Sequence, residues 1–270
     1  MRLRGGAVYE DAPYEDLTYE EQGHVGVITL RRPEARNALT FRSYAELEDA
    51  VRTTTARCLV ITGADPAFCS GDDVKVVMGG GEKPPDMSSL ARTPRLTPAA
   101  EALLHTDVPV VAAVYGAAVG WGMELSLMAD FRVASEKAKF GELFVLRGLV
   151  SDAPGLGRLA QLVGREKAAE LLMTGEVIDA AEALRIGLVG RVVPHDELLP
   201  AALGLAQRIA ANPPLAVQAI KRGLRQALDP DWNEVGVYVS STLAELFQTE
   251  DHREGVRSFL EKRVPEFKGR

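Results

Sequence analysis

The chain has 270 residues, of which 46% are hydrophobic and 26% charged, a balance that excludes wholesale disorder and leaves enough apolar side chain for a buried core. A formal net charge of −7 excludes a general nucleic-acid surface, so an anionic ligand must find local positive charge. Cys58 and Cys69 are too few for a disulfide framework, and His24, His105, His195 and His252 lie too far apart for ligand spacing, so no metal site is expected.

The N-terminal stretch MRLRGGAVYEDAPYED has charge but no apolar run, which argues against a signal peptide. His24 to Leu30, HVGVITL, alternates apolar and small residues with β-branched ones and predicts a strand; Pro33 and Asn37 then mark a turn. Thr40 is placed to cap a helix in which Tyr44, Leu47 and Val51 share a face. Cys58 to Thr62 and Val108 to Tyr115 are continuous apolar runs bounded by Gly or Pro, as expected of strands buried on both faces.

Between Val77 and Pro98 the sequence turns rich in Gly, Pro and Ser, which predicts a surface loop in a position to cover a substrate. Phe131 to Ala134 and Leu188 to Val193 predict two further strands, and from Asp179 onward the chain otherwise reads as almost all helix. Asp179 with Glu182 forms a capping-box pattern, Gly187 is placed to end that helix, and Pro213 with Pro214 divides the next helical stretch. Thr249 to Arg263 forms a last amphipathic segment. Strands alternating with helices predict an α/β chain with a largely parallel sheet. The longest apolar stretch, Val108 to Val119, is broken by Pro109 and Gly116 and is too short to span a bilayer, so a cytoplasmic enzyme is expected.

Two glycine-bearing turns follow two predicted strands: FCSGDD at Phe68 to Asp73 and GAAVGWGME at Gly116 to Glu124. Facing each other, such turns would present free amides to a carbonyl oxygen that develops negative charge. Glycine turns also end many buried strands, and GAAVGWG lacks the order of a dinucleotide-binding loop. Glu124 is the sharper signal. In the first turn of a helix it can simply pair with the macrodipole, but among Leu125, Leu127 and Met128 it would also be desolvated, with a raised pKa suited to proton transfer.

The segments RRPEARNAL, AFCSGDDVK, PVVAAVYGAAVGWGMELSLMADFRVASEKAKFG, LLMTGEVIDAAEALRIGLVGRVVP and EDHREGVRSFLEKRVPEFKG, in this order and spacing, resemble the enoyl-CoA hydratase/isomerase (crotonase) superfamily from about Tyr14 to Arg270. The resemblance implies a spiral core of ββα turns over 14–195, after an N-terminal extension at 1–13. It also implies a C-terminal helical trimerisation region over 196–270 and assembly as a homotrimer or homohexamer. The ligand it implies is an acyl-CoA thioester, coenzyme A being part of the substrate and no other cofactor being needed. The thioester oxygen would lie between the amides of Asp72 and Trp121, with Glu124 beside it.

Two positions depart from the family pattern. Trp121 stands where glycine is usual, and Phe144 stands where hydratases place a second glutamate. Glu142, two residues earlier, is expected to point elsewhere, whereas Asp152 occupies a place at which double-bond isomerases carry an acid, although it also suits a turn beside Pro154 and Gly155. Glu124 with Asp152 therefore tilts the expectation toward isomerisation. Hydration with a nonstandard water site and a non-catalytic acyl-CoA-binding protein are the alternatives. The candidate CoA- and substrate-binding set is Arg31, Arg32, Ala38, Gly71, Lys75, Gly120 and Phe144, with Lys262, Arg263 and Lys268 adding charge.

Overall fold

The computed structural model describes residues 14–77 and 95–270, so the extension at 1–13 and most of the expected covering loop lie outside the described residues. A six-stranded sheet runs in the order β1 (Leu17–Gln22), β2 (Val25–Leu30), β3 (Cys58–Gly63), β4 (Val110–Val114), β6 (Phe131–Ser135), β9 (Arg191–Val193). Only the β1–β2 pair is antiparallel; the remaining pairs are parallel. A second, three-stranded sheet joins β5 (Ala117–Val119), β7 (Lys139–Gly141) and β8 (Val177–Asp179).

Strand alternation sorts the parallel sheet into two buried faces. Ile28, Leu30, Leu59, Ile61, Ala112 and Val114 face one cluster, which includes α1 (Phe41–Thr53), α2 (Pro98–His105) and α3 (Trp121–Met128). Val25, Val27, Cys58, Val60, Val111 and Ala113 face the other, covered by Leu198, Ala202, Ala206 and Ala210. Those two coverings are why β3 and β4 read as unbroken apolar runs, each buried Val, Leu or Ile contributing roughly 1.5–3 kcal/mol.

The turn of the spiral is visible in the connections. β4 leads into β5 and then α3; β6 leads into β7 and, after a single helical turn at Phe144–Arg147, into α4 (Ala153–Val163). The chain continues through α5 (Arg165–Thr174), α6 (Ala180–Arg185), α7 (Leu198–Ala210), α8 (Pro214–Leu228), α9 (Trp232–Leu246) and α10 (Glu250–Glu261). Thr40 and Ser43 form a reciprocal capping box on α1, Asp179 caps α6, and Thr249 caps α10. Lys221 of α8 ties the C-terminal helices to the sheet, its ammonium lying 2.7 Å from Asp130 Oδ2 and 2.8 Å from the Val108 carbonyl.

Candidate active site

The two glycine turns lie side by side. Cys69 N–H donates to the Ala117 carbonyl at 2.8 Å and Val119 N–H to the Cys69 carbonyl at 3.1 Å, so the chain after β3 runs parallel to β5. At Gly122 an added Cβ would sit 2.2 Å from the Cys69 carbonyl oxygen, so only glycine permits this approach. Gly71, at φ +88°, would place a Cβ 2.8 Å from the Val119 oxygen and 3.4 Å from Trp121 N, which brings the two turns into contact where their amides emerge.

Leu39 clamps the first turn from the other side. It donates to the Gly71 carbonyl and accepts from Asp73 N–H, each at 2.8 Å, which leaves the Asp72 amide facing away from it. Neither Asp72 N–H nor Trp121 N–H, at the start of α3, donates to any group among the described residues. Two unpaired amides on adjoining turns are the geometry of an oxyanion hole. They open onto a cleft of about 450 Å³.

Under those turns, α3 is buried along its whole length. Glu124 is fully buried; its Oε2 accepts the Gly155 N–H at 2.7 Å, whereas Oε1 has no partner. Here the structure corrects the expectation for Glu142. That side chain is also fully buried, with Oε2 3.3 Å from the Ser151 hydroxyl and Oε1 unpaired. Both free oxygens converge over Gly155, whose absent Cβ would meet Glu124 Oε1 at 2.6 Å and Glu142 Oε1 at 3.2 Å. Glu142 follows directly on the end of β7 at Gly141, so strand alternation gave no guide to its direction.

Burial drives both carboxyls up, and neighbouring acidic charge adds to it. Glu142 is pushed up to about 8, and Glu124 well above the carboxylate range by desolvation first and then by the neighbouring charges of Glu142 and Asp152. Near neutrality such a pair retains protons that exposed carboxyls would have lost.

Asp152 sits at the N-cap of α4 and is not free. Its Oδ1 accepts the Ala153 N–H at 2.8 Å and its Oδ2 accepts the Trp121 indole N–H at 3.0 Å. Burial still raises its pKa, against the lowering effect of these two bonds.

Of the expected binding residues, Ala38, Gly71, Lys75, Gly120 and Phe144 line the cleft, together with Asp72 and Trp121. Arg31 and Arg32 do not line it. The Arg32 guanidinium is engaged by Asp73 at 3.2 Å, Asp16 at 3.7 Å and the Ala38 carbonyl at 2.5 Å. Arg263 likewise pairs with Glu254 and Glu261.

Two cations missed in the sequence do line the cleft, Arg36 and Arg147. Arg36 gets there because its backbone is left-handed at φ 53°, in a turn that Asn37 staples to the Ala64 and Ala67 carbonyls at 2.7 and 2.6 Å. Arg147 packs over the Phe259 ring at 4.5 Å, with its positive charge near Asp72.

Among the described residues no helix is long and apolar enough to cross a membrane. The family model for "Enoyl-CoA hydratase/isomerase" matches residues 20–270. A Rhizobium meliloti protein described as "Probable enoyl-CoA hydratase" is 38% identical over 261 residues, covering 95% of this chain and 99% of its own. The 2,3-dehydroadipyl-CoA hydratase of Escherichia coli is 37% identical over 94% of this chain and 99% of its own. Among solved structures, an enoyl-CoA hydratase/isomerase from Pseudoalteromonas atlantica superposes with a TM-score of 0.82 at 30% identity, covering 94% of this chain and all of the other. With that match running from β1 to the last residue, over the same turns that form the site, the chain belongs to the enoyl-CoA hydratase/isomerase (crotonase) superfamily.

Proposed function

We propose that the protein hydrates a trans-2-enoyl-CoA thioester reversibly, with the thioester oxygen held by the Asp72 and Trp121 amides and water held by Glu124 and Glu142. One observation carries this reading: the unpaired Oε1 atoms of the two glutamates meet over Gly155. Hydration needs one group to take a proton from water as its oxygen bonds to Cβ, and another to give a proton to Cα as the enolate collapses. One glutamate in its ionised form and the other in its protonated form supply both. The hydratase names of the relatives point the same way.

Isomerisation, toward which the sequence tilts, drew on Asp152 as the second acid; with both its oxygens bonded, it has less to offer there. It stays a second reading because one carboxylate, Glu124, suffices to move a proton along an acyl chain. Incubating the protein with a medium-chain trans-2-enoyl-CoA in heavy water and weighing the acyl-CoA pool separates the two. The water adduct is expected; deuterium in the chain without water addition would favour isomerisation, and an unchanged pool across several thioesters would favour a binding protein.

The CoA phosphates would be met by Arg36 and Lys75, both exposed at the cleft. Replacing both by Ala should raise KM for the acyl-CoA about tenfold at low salt, with the gap closing as ionic strength rises. A KM that stays put moves the phosphates elsewhere. For assembly, Ile220, Leu224 and Leu228 form an exposed stripe on α8, and Val237 and Tyr238 are exposed on α9, apolar surface that a trimer would cover.

A further inference from the structure

The side chains of the two proposed oxyanion-hole residues are joined to each other through a third residue. Asp72 accepts a hydrogen bond on Oδ1 from the Tyr44 hydroxyl. Trp121 takes the Tyr44 ring edge-on, with centroids 4.6 Å apart and planes at 81°. On its far side the indole donates to Asp152 Oδ2 at 3.0 Å. An array thus runs from Asp72 through Tyr44 and Trp121 to Asp152, crossing from α1 to the turn after β3, the start of α3 and the cap of α4.

The backbone already ties both turns, through Leu39 to Gly71 and Asp73 and through Gly120 N–H to the Gly141 carbonyl at 2.9 Å, and the side-chain array adds to these ties. The backbone of Gly120 has φ 53° and ψ −127°, and that of Gly71 has φ +88°, so each amide follows a glycine in a conformation that other residues rarely adopt. A glycine at 121 would have no side chain to hold; here an indole does, and it is fixed on two sides. We propose that Tyr44 is a positioning residue for the oxyanion hole, its hydroxyl fixing Asp72 and its ring fixing Trp121, with Asp152 acting through the indole as the second anchor.

This assigns Asp152 to holding Trp121 in place instead of carrying a proton, and it gives the tryptophan a reason to stand where a glycine would leave the turn unbraced. Tyr44 does not line the cleft and makes no hydrogen bond to the glutamate pair's free oxygens. Its effect on turnover must therefore pass through the two amides.

The inference rests on the acyl-CoA reading of the cleft, and acetoacetyl-CoA tests both separately. Bound between two amide donors, this thioester is drawn toward its enolate, whose ultraviolet absorbance reports donor geometry without any turnover. The wild-type protein should bind it and develop the enolate band. Tyr44→Phe keeps the ring and loses the Asp72 bond; Tyr44→Ala loses both. At saturating acetoacetyl-CoA the band should weaken in Tyr44→Phe and nearly vanish in Tyr44→Ala. With enoyl-CoA, kcat should fall about tenfold and about 100-fold respectively while KM moves less than about twofold, the signature of lost alignment.

Should Tyr44→Ala fail to fold, Tyr44→Phe alone decides, since it removes one oxygen from a half-buried site. An undiminished band and unchanged kcat in the folded variants overturn the positioning role while leaving the acyl-CoA reading intact. Failure of the wild-type protein to bind acetoacetyl-CoA at all overturns that reading, and the inference with it.

Discussion

Replacing Glu124 by Gln is expected to lower kcat for enoyl-CoA turnover by about 1,000-fold, the usual worth of a positioned acid or base, with acyl-CoA affinity nearly unchanged. Gln keeps an oxygen to accept the Gly155 N–H but can neither take nor give a proton. Glu142→Gln should cost a comparable factor, and the double variant should be scarcely worse than either single one, because the two carboxyls act as one unit through their converging oxygens. Independent, multiplying losses would show that the residues do not act as one unit, and full activity in either variant would remove that residue from the mechanism.

The same substitution has a second expected result, of opposite sign. Both carboxyls have folded-state pKa values raised above their unfolded values by burial first and then by neighbouring carboxylates. The native state then holds protons that the unfolded chain releases, so the pair's cost to folding is absent below about pH 4.5 and grows as pH rises toward the folded values. Glu124→Gln removes the Glu124 share of that cost and leaves only that of Glu142. Its melting temperature should exceed that of the wild type at pH 8, and the difference should shrink toward pH 5. A variant that is dead but more stable cannot owe its inactivity to misfolding.

The strands with the strongest apolar runs were legible in the sequence because both faces of β3 and β4 are buried, which leaves no polar interruption. β1 was not. Its LTYEEQ buries only Leu17 and lies at the sheet edge, so charge masks its strand character. β5, β7 and β8 are three residues each, too short for any period to show. At the site, Glu124 stood out because an isolated carboxylate in an apolar run is costly unless used. Glu142 did not, since its partnership depends on where the chain turns after β7. Arg32 and Arg36 show the same limit. They lie four residues apart in one turn, and only the fold decides that the first is consumed by Asp16 and Asp73 while the second reaches the cleft.

Arg132→Met should reduce unfolding free energy by about 3 kcal/mol, read as a lower urea midpoint at unchanged m. Arg132 lies in β6 with 8% of its surface exposed, and among the described residues it forms no ion pair with a carboxylate. Its guanidinium instead donates to three carbonyls: Ala129 at 2.7 Å, Leu188 at 2.8 Å and Ser126 at 3.1 Å. Two of these belong to the C-terminal end of α3, where the last carbonyls have no helical partner and the macrodipole is negative.

Two effects oppose each other in this substitution. Met relieves the cost of a buried charge, which burial already registers by lowering the Arg132 pKa to about 10, still protonated at neutral pH. It also strips three buried oxygens of their donors, each loss costing about 1–3 kcal/mol in a dry interior, and the sum exceeds the relief. Arg132→Lys should fall between, because one ammonium cannot span the fork that the guanidinium fills. An Arg132→Met protein as stable as the wild type would mean that α3 does not need its C-terminal charge. The proposed oxyanion donor at the other end of the same helix would then rest on the glycine turns and the proposed Tyr44 brace.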